Sequence, residues 1–587
     1  MADISGKVIY VNGPVVKIRC NKNLKMLDMV EIGNERLIGE VVRLKEDIAY
    51  VQVYEDTTSI KAEDPVYSDN LPLSLELGPG LIGNIFDGIQ RPLEIIKKQE
   101  GDFISRGVHI NALNRDNRLH FVPLKKPGDR VNPGNTIGQV FETSLIKHKI
   151  SIPPYVPAGV LVSIAEEGDY TVDKIIAEIN TGSEKIPLKM YQKWPVRKQR
   201  PYKQRIPVSE ILITGQRVID TLFPVAKGGC VAVPGGFGTG KTVVQHQVAK
   251  WSDADVVVFV GCGERGNEMT DVLKNFTRLV DPKTGKLLLE RTVFIANTSN
   301  MPVAAREASI YTGMTIAEYY RDMGYNVALM GDSTSRWAEA LRELAGRMEE
   351  IPLEEGFPAY LPARLAEFYE RAGKVITLNQ DTGSITIIAS VSPPGGDFSE
   401  PVTSHTKRFI RCFWALDRDL AYSRHYPAIS WIESYSEYVD DVKPWWDQYT
   451  QGQWLDYRHT ILDLLQKEQR LQQIVKLIGM DVLPNTQKLI LETCLLCKNA
   501  FLQQNAFDNI DTFCSPKKQF LMLKAIIKFH KISEQLIKLG VDISELRETS
   551  VYNEIMRMKT QYPEDALDKL EGFISSIEDQ LKGLEKK

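Results

Sequence analysis

The sequence predicts a multidomain α/β chain: an N-terminal β-barrel, an inserted β domain, a central parallel sheet carrying a phosphate-binding loop, and a C-terminal helical domain. Three observations predict it. A short apolar run, Gly229-Cys230-Val231-Ala232-Val233, leads into Pro234-Gly235-Gly236-Phe237-Gly238-Thr239-Gly240-Lys241-Thr242, and Thr242–Lys250 then has the spacing of a helix packed on a sheet. Short β-rich runs with turn residues between them fill the start of the chain. From about Glu437 apolar residues recur at helical spacing. The expected limits are 1–75 for the barrel, 76–117 for a connector, 118–188 for the insertion, 189–436 for the phosphate-loop domain and 437–587 for the helical domain.

Taken in order, Lys7–Val11 and Val15–Ile18 flank a turn at Asn12-Gly13-Pro14, and Leu37–Val42 and Ile48–Tyr54 continue the strands. Closely spaced short strands suggest a small barrel or sandwich. Its mix of acidic and aliphatic residues favours assembly with other copies or homologues over oligonucleotide binding. Leu77-Gly78-Pro79-Gly80 through Leu93 is punctuated by Gly and Pro, as a connector is. In the insertion, Gly128-Asp129-Arg130-Val131 with Ile137–Val140 recurs loosely as Gly168–Val172 with Ile175–Ile179. Two such β units resemble the folded-over sandwich of lipoyl- and biotinyl-carrier domains. The Met-Lys pair of those domains is absent at the hairpin, so Lys147 and Lys149 are expected to be structural.

Bulk properties narrow the field. A chain of 587 residues accommodates three or four domains, and a net charge of −4 gives no electrostatic footprint for nucleic acid. Met1–Lys7 lacks a charged-then-apolar leader pattern, and no apolar run approaches the roughly 18–20 residues of a membrane helix. Seven scattered cysteines fit a reducing compartment, and Cys494-Leu495-Leu496-Cys497 reads as core packing. The expectation is a soluble cytoplasmic chain.

The loop explains its own composition. Glycines let backbone N–H groups converge on phosphates at a helix N-terminus, Lys241 reaches the β- and γ-phosphates, and the Thr242 hydroxyl ligates Mg²⁺. These features imply a nucleoside triphosphate ligand. A second apolar run, Val256–Val260, ends at Gly261-Cys262-Gly263-Glu264-Arg265-Gly266-Asn267-Glu268. Ligands of open parallel sheets bind beyond strand carboxyl ends, so Glu264 is placed to polarise an attacking water and Arg265 to neutralise phosphoryl charge. A third run, Asn326–Met330, ends at Gly331-Asp332-Ser333; a carboxylate there is the Walker B pattern and assigns Mg²⁺ to Asp332.

With these residues assembled, the chain resembles the catalytic A subunit of vacuolar/archaeal-type rotary ATPases. The resemblance is carried by Gly261–Glu268, Asn297–Glu307, Asp332–Ala340, Ser392-Pro393-Pro394-Gly395-Gly396-Asp397 and Tyr426-Pro427-Ala428-Ile429. It spans essentially the whole chain, insertion included. It implies a RecA-like nucleotide domain that hydrolyses ATP or forms it in reverse, coupled to H⁺ or Na⁺ transport. By resemblance the nucleotide lies on Gly235, Gly236, Phe237, Gly238, Thr239, Gly240, Lys241, Thr242 and Val243. Lys241, Glu264 as general base, Arg265 and Arg336 form the catalytic set, and Glu268 joins Thr242 and Asp332 around the metal. Tyr426, Phe501 and Phe507 flank adenine, a use to which aromatic rings are suited. The implied partners are a homologous non-catalytic B-type subunit in an alternating A3B3 hexamer, the central rotor shaft, which faces the helical region near Ile478–Pro484, and a peripheral stalk. The place implied is the cytoplasmic face of a membrane, reached only through the ion-translocating sector. Two alternatives share the nucleotide core. A hexameric nucleic-acid translocase is disfavoured by the acidic balance, and a non-catalytic nucleotide-binding structural role by the presence of both Lys241 and Glu264. The family usually has Pro where Gly236 stands, Ser or Cys at Thr239, and Ala at Gly331. These departures touch loop stiffness and affinity rather than chemistry.

Overall fold

The computed structural model describes residues 4–21, 24–101, 104–281 and 284–586; the first three residues of the N-terminal stretch read above lie outside these. The chain divides into two compact units, Met1–Pro207 with Ala254–Phe409, and Val208–Asp253 with Ile410–Lys587.

The first unit opens with a closed six-stranded barrel, Ile4–Asn12, Val15–Cys20, Ile48–Val53, Leu37–Lys45, Met29–Ile32 and Pro65–Tyr67 in spatial order. Alternate residues face inward, so Val8, Val16, Ile18, Val30, Val41, Val51 and Val66 make its core, and closure removes exposed sheet edges. The insertion is a sandwich of two four-stranded sheets. Within each sequence repeat the two strands go to different sheets: Arg130–Val131 and Ala177–Asn180 share one, Thr136–Phe141 and Gly168–Thr171 the other. Phe121, Val140, Leu161 and Ile179 interdigitate between them. Lys149 is spent on an ion pair with Asp381 (2.8 Å), and Lys147 lies over the Phe141 ring.

Five parallel strands of the same unit run side by side: Ile85–Phe86, Thr292–Thr298, Val256–Glu264, Asn326–Asp332 and Thr382–Val391. Their central members are apolar and buried on both faces, as a parallel sheet covered by helices requires. Shared direction puts Glu264, Thr298, Asp332 and Val391 at one edge, where such sheets bind ligands. Helices Gly266–Phe276, Val303–Asp322 and Thr334–Arg347 leave that edge.

The second unit holds the strand Cys230–Pro234, the phosphate loop and the helix Lys241–Trp251. Cys412–Phe413 pairs with that strand in parallel and with Tyr435–Ser436 in antiparallel. Helices Val439–Thr450, Trp454–Ile478, Asn485–Leu496, Pro516–Lys538, Ser550–Gln561 and Leu567–Lys582 complete it. The helical run expected from Tyr449 is interrupted: Gln451 and Gly452 adopt left-handed backbone (φ 51° and 80°), which ends one helix before Trp454 starts the next. Cys494 and Cys497 are fully buried core residues. No helix of the described residues is long and apolar enough to cross a membrane.

Candidate functional site

The phosphate loop lies between a fully buried strand and a helix that starts at Lys241. Gly238 and Gly240 hold φ of 79° and 89°, values that side chains resist, and Gly240 caps the helix. At Gly235 any Cβ would come within 2.6 Å of Thr239 Oγ1 and 2.8 Å of Leu416 Cβ, so the backbone itself must approach. Thr239 Oγ1 donates to the Gly236 carbonyl (2.8 Å) and Lys241 Nζ to the carbonyls of Gly235 (2.6 Å) and Gly236 (3.1 Å). The lysine is thus held over the loop it serves. Phe237 and Val243 are exposed and Thr242 is half-buried.

Of the three aromatics, the structure brings one to this loop. The Tyr426 ring lies 3.6 Å from the Cβ position of Gly240 and is 42% exposed. Its carbonyl accepts from Gln504 N (2.8 Å), which draws up the segment bearing Phe507, 88% exposed. Phe501 is 0% exposed: the π-helical turn Cys497–Leu502 directs its ring into the core, so it offers no face to a ligand. Sequence reading missed what fixes this segment. Arg217 is buried and donates to the carbonyls of Phe501 (2.6 Å) and Gln503 (2.8 Å) and to Asp511 (2.7 Å). A lone arginine carries no spacing signal that would have found it.

The carboxylates belong to the other unit. Between Cys262 and Glu264 the strand skips register, with Gly263 at φ 74° forming a bulge that re-aims Glu264. Burial first, then the charges of Asp332 and Glu268 and a hydrogen bond with Glu268, push the Glu264 carboxyl up to about 8, with Arg336 opposing. Asp332, nearly buried at the end of the adjacent strand, accepts from the Ser390 hydroxyl. Arg336 Nη1 lies 2.9 Å from Glu339. Arg265, an exposed residue at the helix start, lies 4.0 Å from Glu268. Glu264, Glu268, Asp332 and Arg336 are therefore one electrostatic group, with Arg265 at its edge. At Gly331 a Cβ would meet Ile310 Cδ1 at an ordinary 3.6 Å, so the departure to glycine opens no contact that alanine would break.

The donors assigned to a metal, Thr242, Asp332 and Glu268, are all hard oxygens, the set Mg²⁺ takes. Among the described residues no three or more His, Cys, Asp or Glu side chains are grouped to hold a metal by themselves. The charges of Asp332 and Glu268, second to burial in raising Glu264, are ones that a divalent cation would offset.

A glycine loop opening a helix, and carboxylates at parallel strand ends, define a nucleoside-triphosphate-binding domain. Family models match in four places. The ATP synthase alpha/beta family nucleotide-binding domain covers 215–436 and its beta-barrel domain 3–69; the alpha/beta subunit barrel-sandwich domain covers 110–197. The C-terminal domain of V and A type ATP synthase covers 443–547. The chain is 55% identical to the V-type ATP synthase alpha chain of Halothermothrix orenii over 98% of both chains. It is 55% identical to the A subunit of the A-type ATP synthase of Thermococcus kodakarensis, over 99% of both. The solved structure of the assembled ATPase EscN, from the enteropathogenic E. coli type III secretion system, matches with a TM-score of 0.63 at 22% identity. That match covers 89% of this chain and all of that one, and shows the fold alone. The chain belongs to the ATP synthase alpha/beta family, with the A subunits of the V- and A-type enzymes. The translocase and non-catalytic alternatives fall away with that membership.

Proposed function

We propose that the chain is the catalytic subunit of a rotary ATPase, hydrolysing ATP or forming it in reverse, with other subunits coupling the reaction to H⁺ or Na⁺ movement. The observation that carries this is the placement of Glu264, a carboxyl aimed by a strand-end bulge beside Asp332 and Glu268, in a chain 55% identical to A subunits of such enzymes. A base at that place can take a proton from water once a bound cation offsets its carboxylate neighbours. The loop N–H groups from Gly235 to Val243 and the Lys241 ammonium bind the β- and γ-phosphates, which replace the loop carbonyls as partners of Lys241. Glu264 takes the proton of the attacking water. Arg336 and Arg265 balance charge on the transferred phosphoryl group. Thr242, Asp332 and Glu268 would hold Mg²⁺, which when bound supplies charge neutralisation on the phosphates. Tyr426 and Phe507 flank the adenine, while Phe501 is buried.

The same reading sets the surroundings. A loose phosphoryl-transfer transition state calls for an arginine from a neighbour. That neighbour is a homologous non-catalytic B-type subunit in an A3B3 hexamer, engaged by a rotor shaft and a peripheral stalk at the cytoplasmic face of a membrane. Residues 1–75 serve assembly, 118–188 form a structural β insertion, 189–436 carry the chemistry and 437–587 face the shaft. Titrating purified partner into this chain while following phosphate release tests it. The isolated chain is expected to bind ATP·Mg²⁺ yet turn over about 10³–10⁵ more slowly than the mixture, at little changed affinity. Full turnover by a strictly monomeric preparation would overturn the shared-site reading.

A further inference from the structure

We propose that Arg306 is a positioning residue for the catalytic base, holding the bulge at Gly263 that aims Glu264; the proposal rests on the reading of Glu264 as that base. A bulge leaves one residue outside the strand ladder, so something else must fix its geometry. Here the space beside Gly263 is filled by Arg306 together with the root of the Arg336 side chain: a Cβ on that glycine would lie 2.8 Å from Arg306 Cδ, 2.9 Å from its Nε and 2.9 Å from Arg336 Cβ. The far end of the same side chain reaches the neighbouring strand end. Arg306 Nη2 donates to the Ser299 carbonyl (3.0 Å), and Ser299 N donates to the Glu264 carbonyl (2.8 Å). One arginine thus packs behind the residue before Glu264 and pins the residue that holds Glu264 by its own backbone.

Its footing is firm. Arg306 N donates to the Pro302 carbonyl (3.1 Å), and its own carbonyl accepts from Ser309 Oγ (2.7 Å) and Cys262 Sγ (3.5 Å). The next residue, Glu307, is held by the largely buried Arg197 at 2.6 and 2.9 Å, which anchors the helix start. Stability does not explain an arginine here. Its Nε–H is buried without a partner among the described residues, a cost that an aliphatic side chain of equal length would avoid. A buried donor left unpaired calls for an explanation, and a positioning role supplies one.

The test uses the assembled complex carrying Arg306→Met, which keeps the shaft without its donors, Arg306→Lys, which keeps shaft and one donor, and Arg306→Gln. Glu264→Gln runs alongside, and trinitrophenyl-ATP affinity reports whether each nucleotide site is folded. Arg306→Met and Arg306→Gln are expected to lower kcat about 10- to 100-fold, the effect of a small misplacement, while KM and nucleotide affinity stay within a few-fold. Arg306→Lys is expected to recover most of the loss. A kcat within about twofold of the parent in Met and Gln variants overturns the proposal. So does a parallel collapse of kcat and affinity that Lys does not rescue, which marks a merely structural residue. Sustained turnover by Glu264→Gln overturns the base itself, whatever Arg306 does.

Discussion

The phosphate loop and the carboxylate cluster handle charge of opposite sign and are built in opposite ways. The loop is one contiguous stretch whose working parts are backbone N–H groups, freed by glycines at 235, 238 and 240. The cluster draws Glu264 and Glu268 from one segment and Asp332 and Arg336 from another, and burial together with the charges of Asp332 and Glu268 pushes the Glu264 carboxyl up to about 8. Binding is thus specified by what side chains leave out, chemistry by where they are buried. The largest effect that separates the two is Glu264→Gln. It removes the base and keeps shape, so turnover should fall by about 10²–10⁴ while ATP binding is retained. Lys241→Ala is its mirror, losing binding first. Turnover of Glu264→Gln within a few-fold of the parent, read by phosphate release, would erase the division.

A second contrast uses one buried carboxylate from each unit. Asp220 accepts from Thr214, Gly215 and Gln519, all neutral donors, and burial pushes it up to about 6. Glu142 is as buried and accepts from Gly80, Leu81 and Ile82 N–H and Tyr320. Burial is the largest influence and raises it too, but the charge and hydrogen bond of His148 at 2.7 Å and the Ile82 and Gly80 N–H donors together hold it below its ordinary value. The signs follow. The folded state binds the Asp220 proton more tightly than the unfolded chain, so its contribution falls as pH rises from about 4 to 6 and is flat above, by about 3 kcal/mol in all. Glu142 contributes above its unfolded value and is lost as pH falls through its depressed one. Thermal unfolding across pH, compared with Asp220→Asn and Glu142→Gln variants, should show slopes of opposite sign. Parallel slopes would mean that the ionic partner is not what distinguishes them.

The same division marks what was legible in the sequence. Glycine spacing announces the loop, and apolar runs ending in Glu264 and Asp332 announce the strand ends, because both are local. The closed barrel and the two-sheet insertion follow from alternation and turn residues. What escaped reading lies at long range: Arg217 against Phe501 and Asp511, Glu142 against Tyr320, Arg306 behind Gly263. In each a lone polar residue meets a partner chosen by the fold. Phe501 shows the converse, since an aromatic near the right place in sequence turns into the core when one helical turn widens.

A smaller effect sharpens the binding side. If Tyr426 and Phe507 stack on the base, replacing either by Ala should weaken nucleotide binding by about 1–3 kcal/mol, and the buried Phe501 should act through stability instead. Equilibrium titration with a fluorescent nucleotide, beside thermal unfolding, separates the two. Unchanged dissociation constants for both exposed-ring variants would return them to the surface.

The smallest effect tests whether every glycine in the loop is there for the same reason. Gly238 and Gly240 sit at positive φ, where an alanine is strained by roughly 1–2 kcal/mol, so Ala at either should weaken binding by that amount. Gly236 is outside that region of backbone space. A Cβ there would meet Arg418 alone, closest at Nη2 (3.2 Å), the far end of an exposed side chain, where a shift of a few tenths of an ångström suffices. Gly236→Ala should therefore change nucleotide affinity by less than about threefold, under half of the 1.4 kcal/mol that a tenfold change requires. A loss as large as that of Gly240→Ala would place the Arg418 guanidinium among the groups the loop needs. The loop would then be specified, like the carboxylate cluster, by a long-range side chain as well as by its own backbone.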